Sequence, residues 1–176
     1  MKKLITLFCL FTVLCNAQTN VTYKTLNYDL QMRSLNGDTV SLFKKLAEGK
    51  TVIIDISATW CPPCWDFHKT RVLDSLHNRS DFFVMFIEAD WSTPDSALYG
   101  KGSRTRGNWT DVNYPVFNWA SLGNEITYSS YPTVYMILPD KRMYNISPWK
   151  IDIETVNEVV ILKNHFSRCK TDVHRY

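Results

Sequence analysis

The stretch TVIIDISATWCPPCWDFHK, Thr51–Lys69, decides the reading of this chain. It begins with a continuous apolar run rich in β-branched residues and bounded by Gly49 before and Pro62 after. Such a run, too short for a typical helix, predicts a strand buried on both faces, the pattern of a parallel sheet. The period then changes. Trp65, His68, Val72, Leu73 and Leu76 fall near one stripe of a helix that starts after Cys61. Pro62 and Pro63 suit its first turn, where backbone N–H groups have no partner in the helix. The junction thus places Cys61 at a helix N-terminus and Cys64 one turn in, on the same face and within bonding reach.

Working outward, DFFVMFIEAD (81–90) reads as a second buried strand. Strand, helix and strand with short links make a βαβ unit, whose strands are parallel. Upstream, YKTLNYDLQM, the turn signal NGD at Asn36–Asp38 and TVSLFKKLA read as a hairpin and a turn of helix. Downstream, TVYMIL, the turn PDKR and MYNIS read as an antiparallel hairpin. Residues 91–130 are irregular. Their glycines and basic residues suggest an exposed loop, and their aromatics suggest one that folds back on the body, with a short helix over FNWASLGNEI. DIETVNEVVILKNHF (152–166) reads as a terminal amphipathic helix with Asp152 as N-cap. The fold class is α/β, a central mixed β-sheet flanked by helices.

The chain has 176 residues, enough for one domain with a hydrophobic core. Its first residues, MKKLITLFCLFTVLCNAQTN, run from two lysines through an apolar stretch to a small residue, the order of a secretory signal peptide. Cleavage is expected after Ala17, leaving a single domain over 18–176 and no membrane span, since the apolar stretch is short for a bilayer. The protein is thus expected in the periplasm or outside the cell. Removing Lys2 and Lys3 from 20 basic residues leaves 18 against 17 acidic ones. That balance gives no reason to expect nucleic acid or an anionic membrane as partner. Cys9 and Cys15 leave with the leader. Cys61, Cys64 and Cys169 stay, in a compartment that permits disulfides.

Helix N-termini carry unpaired N–H groups and positive dipole ends, which favour a thiolate at Cys61. Cys61 is then the nucleophile and Cys64, shielded inside the turn, resolves the mixed disulfide. Asp55, the one charge in its apolar strand, should have a raised pKa from desolvation and could take the Cys64 proton. Pro132, in SSYPTVYMIL, directly precedes an apolar strand and is open to a cis bond, although trans is the commoner state of any X–Pro peptide. The backbone of Tyr131 could there pair with a substrate strand.

Taken together, VIIDISATWCPPC, with Trp60 before the first cysteine and Asp55 six back, resembles the strand–CxxC–helix motif of the thioredoxin-like superfamily. YPTVYMI resembles its cis-proline strand, and NYDLQMRSLNGDTVSLFKKLAEGKTVIIDI resembles the N-terminal hairpin of extracytoplasmic TlpA/ResA-type thiol-disulfide oxidoreductases. The long 91–130 insertion and CPPCWDFH are similar to secreted thioredoxin-like proteins of Bacteroidota. The resemblance implies a thioredoxin-like fold and a protein-disulfide oxidoreductase. Cys61, Cys64, Asp55 and Pro132, the last as cis-proline, would be catalytic, with Trp60 and Tyr131 at the substrate. Protein thiols or disulfides would be substrates, an upstream thiol-disulfide donor would supply electrons, and no cofactor beyond the Cys61–Cys64 pair would be needed. Two departures stand out. The turn after Cys64 reads Trp65-Asp66-Phe67-His68, without the glutamate many such reductases carry, and Tyr131 is bulky for its position. Pro62 and Pro63 add no charge to stabilise a thiolate, so the pair is expected nearer thioredoxin's roughly −270 mV than DsbA's roughly −120 mV.

Two other readings compete. Cys61, Cys64 and His68 lie at i, i+3 and i+7 and could hold a soft metal, or serve a haem-handling protein. Isolated histidines are more often surface or boundary residues, and that is the expectation for His68. Alternatively the domain is a binding module without redox turnover, docking through its aromatic 91–130 segment. Cys61→Ser separates these readings: an enzyme loses turnover, a metal site loses affinity, and a binding module keeps its partner.

Overall fold

A computed structural model describes residues 23–119 and 126–151. The expected leader, the C-terminal helix and Cys169 lie outside the described residues.

Two central strands organise the fold. β4 (Thr51–Ser57) and β5 (Phe82–Glu88) are buried at every residue, as a strand covered on both faces must be. They pair in parallel, Thr51 opposite Phe82 through Ser57 opposite Glu88. β4 also pairs antiparallel with β7 (Thr133–Ile137), which pairs with β8 (Arg142–Ile146). β1 (Lys24–Thr25) lies on the outer side of β8, and β6 (Val116–Asn118) runs parallel to β5 at the other edge. The sheet order is β1-β8-β7-β4-β5-β6. β2 (Gln31–Arg33) and β3 (Thr39–Ser41) form a separate hairpin, whose turn needs Gly37 at φ +90°.

The hairpin leads into α1 (Leu42–Ala47). Its N-cap Ser41 accepts the Lys44 amide at 3.1 Å, and Asp29 fixes the entry by accepting from Ser41 Oγ at 2.7 Å and Phe43 N at 2.8 Å. Alternation along the central strands separates two faces. Val52, Ile54, Ile56, Phe83, Met85 and Ile87 pack with Leu30, Leu42 and Leu46 of the hairpin and α1 region. Ile53, Asp55, Val84 and Phe86 point the other way, and Phe86 meets the His68 ring at 6.5 Å on that side.

The expected single helix after Cys61 is two helices. α2 (Pro62–Lys69) stops at Thr70, and α3 (Val72–His77) begins after Arg71, which takes φ +58°. A left-handed residue with a Cβ costs about 1–2 kcal/mol. Side-chain contacts oppose that cost: Thr70 Oγ1 bonds back to Phe67 O at 2.7 Å, and the Arg71 guanidinium reaches both the Asp111 carboxylate at 2.8 Å and its carbonyl. The first residues of the helix read over FNWASLGNEI (117–126) are strand instead, and 120–125 lie outside the described residues. Phe117 and Asn118 belong to β6, where Phe86 N donates to Pro115 O and Trp119 N to Glu88 O. Three residues are too few to show a strand period. A short helix, α4 (Asp95–Leu98), lies within the long connection between β5 and β6.

Candidate active site

The site forms where β4 ends. Ala58 O accepts from Cys61 N at 3.0 Å, turning the chain into α2. Cys61 is the N-cap, with Pro62 and Pro63 in the first turn. Its sulfur accepts the Cys64 amide at 3.3 Å. Cys61 and Cys64 form a disulfide, their Cα atoms 5.3 Å apart. Cys64 is fully buried, whereas Cys61 keeps 3% of its surface open. Of the two, Cys61 is the less enclosed residue, and its place at the helix N-terminus favours it as thiolate.

Asp55 lies on the strand that feeds this turn, two residues before the end of β4, and is fully buried. Its Oδ1 accepts from Ser57 Oγ at 2.7 Å, while Oδ2 has no partner among the described residues. Burial pushes the carboxyl up to about 7, against the Ser57 hydrogen bond, which lowers it. A carboxyl at that value can exchange a proton near neutrality.

Pro132 directly precedes β7. Thr133 lies opposite Ile56, so Pro132 sits level with the end of β4, where the cysteine turn begins. The Tyr131–Pro132 peptide is cis. Tyr131 meets Trp60 edge-on at 6.1 Å and packs against Tyr128 at 5.6 Å with the two rings tilted by 32°. Trp60 is 41% exposed. The sequence-predicted residues Cys61, Cys64, Trp60, Tyr131, Pro132 and Asp55 therefore converge on one end of the sheet from two distant segments.

The structure adds a third and a fourth segment. Glu88, at the end of β5, is buried and accepts from Thr59 N at 2.5 Å and Asp90 N at 2.9 Å. Burial pushes it up to about 7 despite these bonds. Asp90 accepts from the Trp60 indole at 2.5 Å and pairs with Arg104 at 2.9 Å. Burial works to raise Asp90, but hydrogen bonds from Ser92 and Trp60 and the Arg104 charge outweigh it and hold it below its usual range.

The segment around Arg104 straps the cysteine turn. Thr59 Oγ1 donates to Arg104 O at 2.8 Å, Arg106 N to Thr59 O at 3.0 Å, and Arg106 Nε to Trp60 O at 3.2 Å. Beyond it, Trp109 is fully buried against Trp65 and His68, with ring centroids 5.0 and 4.9 Å away. Sequence reading treated Arg104 and Arg106 as loop residues and did not single out Glu88 or Asp90. The signal for the carboxylates was present: EAD closes a buried strand, and charges seldom sit there without partners.

His68 is the main correction. Expected at the surface or its boundary, it is 3% exposed and stacks on Trp65 at 5.0 Å. The reason is Trp109, which closes over the ring from a segment whose fold the helical stripe cannot report. Burial first, then Arg71, pulls the imidazole down to about 4, so it is neutral at ordinary pH. Neither nitrogen has a hydrogen-bond partner among the described residues. Among those residues, no group of three or more His, Cys, Asp or Glu is arranged to hold a metal ion, and no helix is long and apolar enough to cross a membrane.

No protein-family model matches the chain, and no curated protein matches it in sequence. Solved structures do match. A candidate thioredoxin from Neisseria meningitidis is 16% identical, with a TM-score of 0.60 over 87% of this chain and 99% of its own. A candidate protein disulfide isomerase from Bacteroides thetaiotaomicron is 18% identical, with a TM-score of 0.58 over 82% and 89%. The exposed lipoprotein thioredoxin of Streptococcus pneumoniae is 20% identical, with a TM-score of 0.55 over 75% and 97%. With a mixed sheet, a cysteine pair at a helix N-terminus and these neighbours, the chain has the thioredoxin-like fold.

Proposed function

We propose that this protein is a thiol–disulfide oxidoreductase that exchanges its Cys61–Cys64 pair with protein cysteines outside the cytoplasm, in the reducing direction. The observation that carries the reading is the disulfide between an N-cap cysteine and a buried one, with an unpaired Asp55 oxygen on the strand that feeds the turn.

In the reducing cycle, the Cys61 thiolate attacks a substrate disulfide. A Cys61–substrate bond forms, and the leaving substrate sulfur departs with the electron pair of the broken bond. Asp55 then takes the Cys64 proton, and the Cys64 thiolate attacks Cys61 Sγ. This releases the second substrate thiol and restores the intramolecular disulfide. Two electrons pass to the substrate, and an upstream dithiol returns them. Trp60, Tyr131 and Pro132 border the substrate, which pairs with the chain at Tyr131. The leader to Ala17 directs export, and residues 18–176 work as one domain of TlpA/ResA type. That one neighbour is an exposed lipoprotein thioredoxin accords with this location.

The reduction potential of the exported protein tests the proposal, measured in graded dithiol–disulfide buffers with alkylated thiols counted by mass. A value near roughly −270 mV supports a reductase, and one near roughly −120 mV reverses the direction. Cysteines that never change together in a two-electron step would overturn the redox reading.

A further inference from the structure

Arg106 is an exposed cation held at the rim of the cysteine turn, with no anionic partner among the described residues. Its backbone N and its Nε both bond to the turn, at Thr59 O and Trp60 O, 3.0 and 3.2 Å away. The Trp60 carbonyl belongs to the peptide that joins Trp60 to Cys61. Using Nε for this contact leaves both terminal guanidinium nitrogens for another ligand, and they present the planar fork that matches a carboxylate. The neighbouring charges are accounted for: Asp90 is taken by Arg104 and the Trp60 indole, and Asp66 by Lys69 at 2.9 Å. Among the described residues, no carboxylate pairs with Arg106. The neighbouring backbone is also closely packed. The next residue, Gly107, lies so close to Trp65 that a Cβ there would sit 2.5 Å from two indole carbons.

A fixed guanidinium one peptide from the nucleophile is placed to read the residue beside a substrate cysteine. We infer that Arg106 is a specificity determinant that selects protein substrates whose reacting cysteine is flanked by an aspartate or glutamate. This rests on the dithiol–disulfide exchange proposed above. The chemistry is unchanged: Cys61 attacks the substrate sulfur, and Cys64 completes the reduction. Arg106 adds a charge-assisted contact that helps dock the substrate before the sulfurs meet.

Two short peptides test this, each with one cysteine as a 2-thiopyridyl mixed disulfide, differing only in Asp or Lys beside that cysteine. In single turnover the pre-reduced protein supplies both electrons. The peptide thiol and thiopyridone are released, and absorbance reports the latter. At low ionic strength the Asp peptide should react roughly three- to tenfold faster than the Lys peptide, the range expected for a partly exposed charge contact swapped for a repulsion. The ratio should shrink as salt rises. Arg106→Gln should bring it close to one, and Arg106→Lys should keep part of it.

Failure to react with either peptide would overturn the exchange activity itself. Equal rates for the two peptides in the wild-type protein, or a preference that survives both salt and Arg106→Gln, would overturn the role of Arg106 while leaving exchange intact. The salt series uses the wild-type protein alone, so the test stands even if a variant misfolds.

Discussion

Replacing Asp55 with asparagine should change how stability depends on pH. Asp55 is fully buried, and its carboxyl is raised from 3.8 to about 7. Between these values the unfolded chain has released the proton while the folded chain keeps it. Stability from this group is therefore fully present below about 3.8 and is lost as pH rises through about 7. At 1.36 kcal/mol per pKa unit, the loss is about 4 kcal/mol across the window. Asparagine cannot ionise, so the variant lacks this slope. It also introduces an amide NH2 where Oδ2 has no partner, which costs about 1–3 kcal/mol but does so at every pH. The informative quantity is thus the stability of Asp55→Asn minus that of the wild type, followed from pH 4 to pH 8. It should rise by about 4 kcal/mol. Urea titrations of the oxidised proteins, monitored by tryptophan fluorescence, measure it. A difference that stays constant over this range would refute the claim that the buried carboxyl titrates near neutrality. In exchange, the same variant should slow the resolving step more than the first attack, and equal slowing of both would remove Asp55 as proton acceptor.

Cys64→Ser should stop the cycle after the first step, so that the Cys61–substrate adduct accumulates and is seen as added mass; rapid turnover without Cys64 would contradict its resolving role. Glu88→Gln should remove a second part of the pH dependence, up to about 3 kcal/mol between pH 4.5 and about 7, again as stability lost on raising pH in the wild type. Matching pH profiles for variant and wild type would show that Glu88 does not titrate there. Gly107→Ala should destabilise by about 1–3 kcal/mol through overpacking against Trp65, measured by urea denaturation. An unchanged midpoint would mean that the strap yields freely.

What the sequence disclosed follows the range of its signals. Thr51–Ser57 and Phe82–Glu88 were legible because a strand buried on both faces needs no partner to announce itself. The NGD turn and the β7–β8 hairpin were legible because their signals are local. The break at Thr70–Arg71 was hidden because the ion pair that holds Arg71 is to Asp111, 40 residues away. His68 was misjudged for the same reason: helical spacing shows which face a residue takes, not what covers it. The strap over Thr59 and Trp60 depends on contacts spanning 30 to 47 residues, and no periodicity encodes those.

The Cys61–Cys64 bond closes a ring across a sequence separation of only three. By the chain-entropy relation, so small a loop restrains the unfolded chain by only about 2 kcal/mol, against nearly 5 for a loop of about 100 residues. Opening it therefore forfeits about 2 kcal/mol of that restraint, while the burial of the seven-residue central strands and the layers packed on them does not depend on the bond. For the exchange proposed above, the coupling between redox state and folding is thus held to the small end of what a disulfide can impose, and reduction is expected to leave the architecture in place.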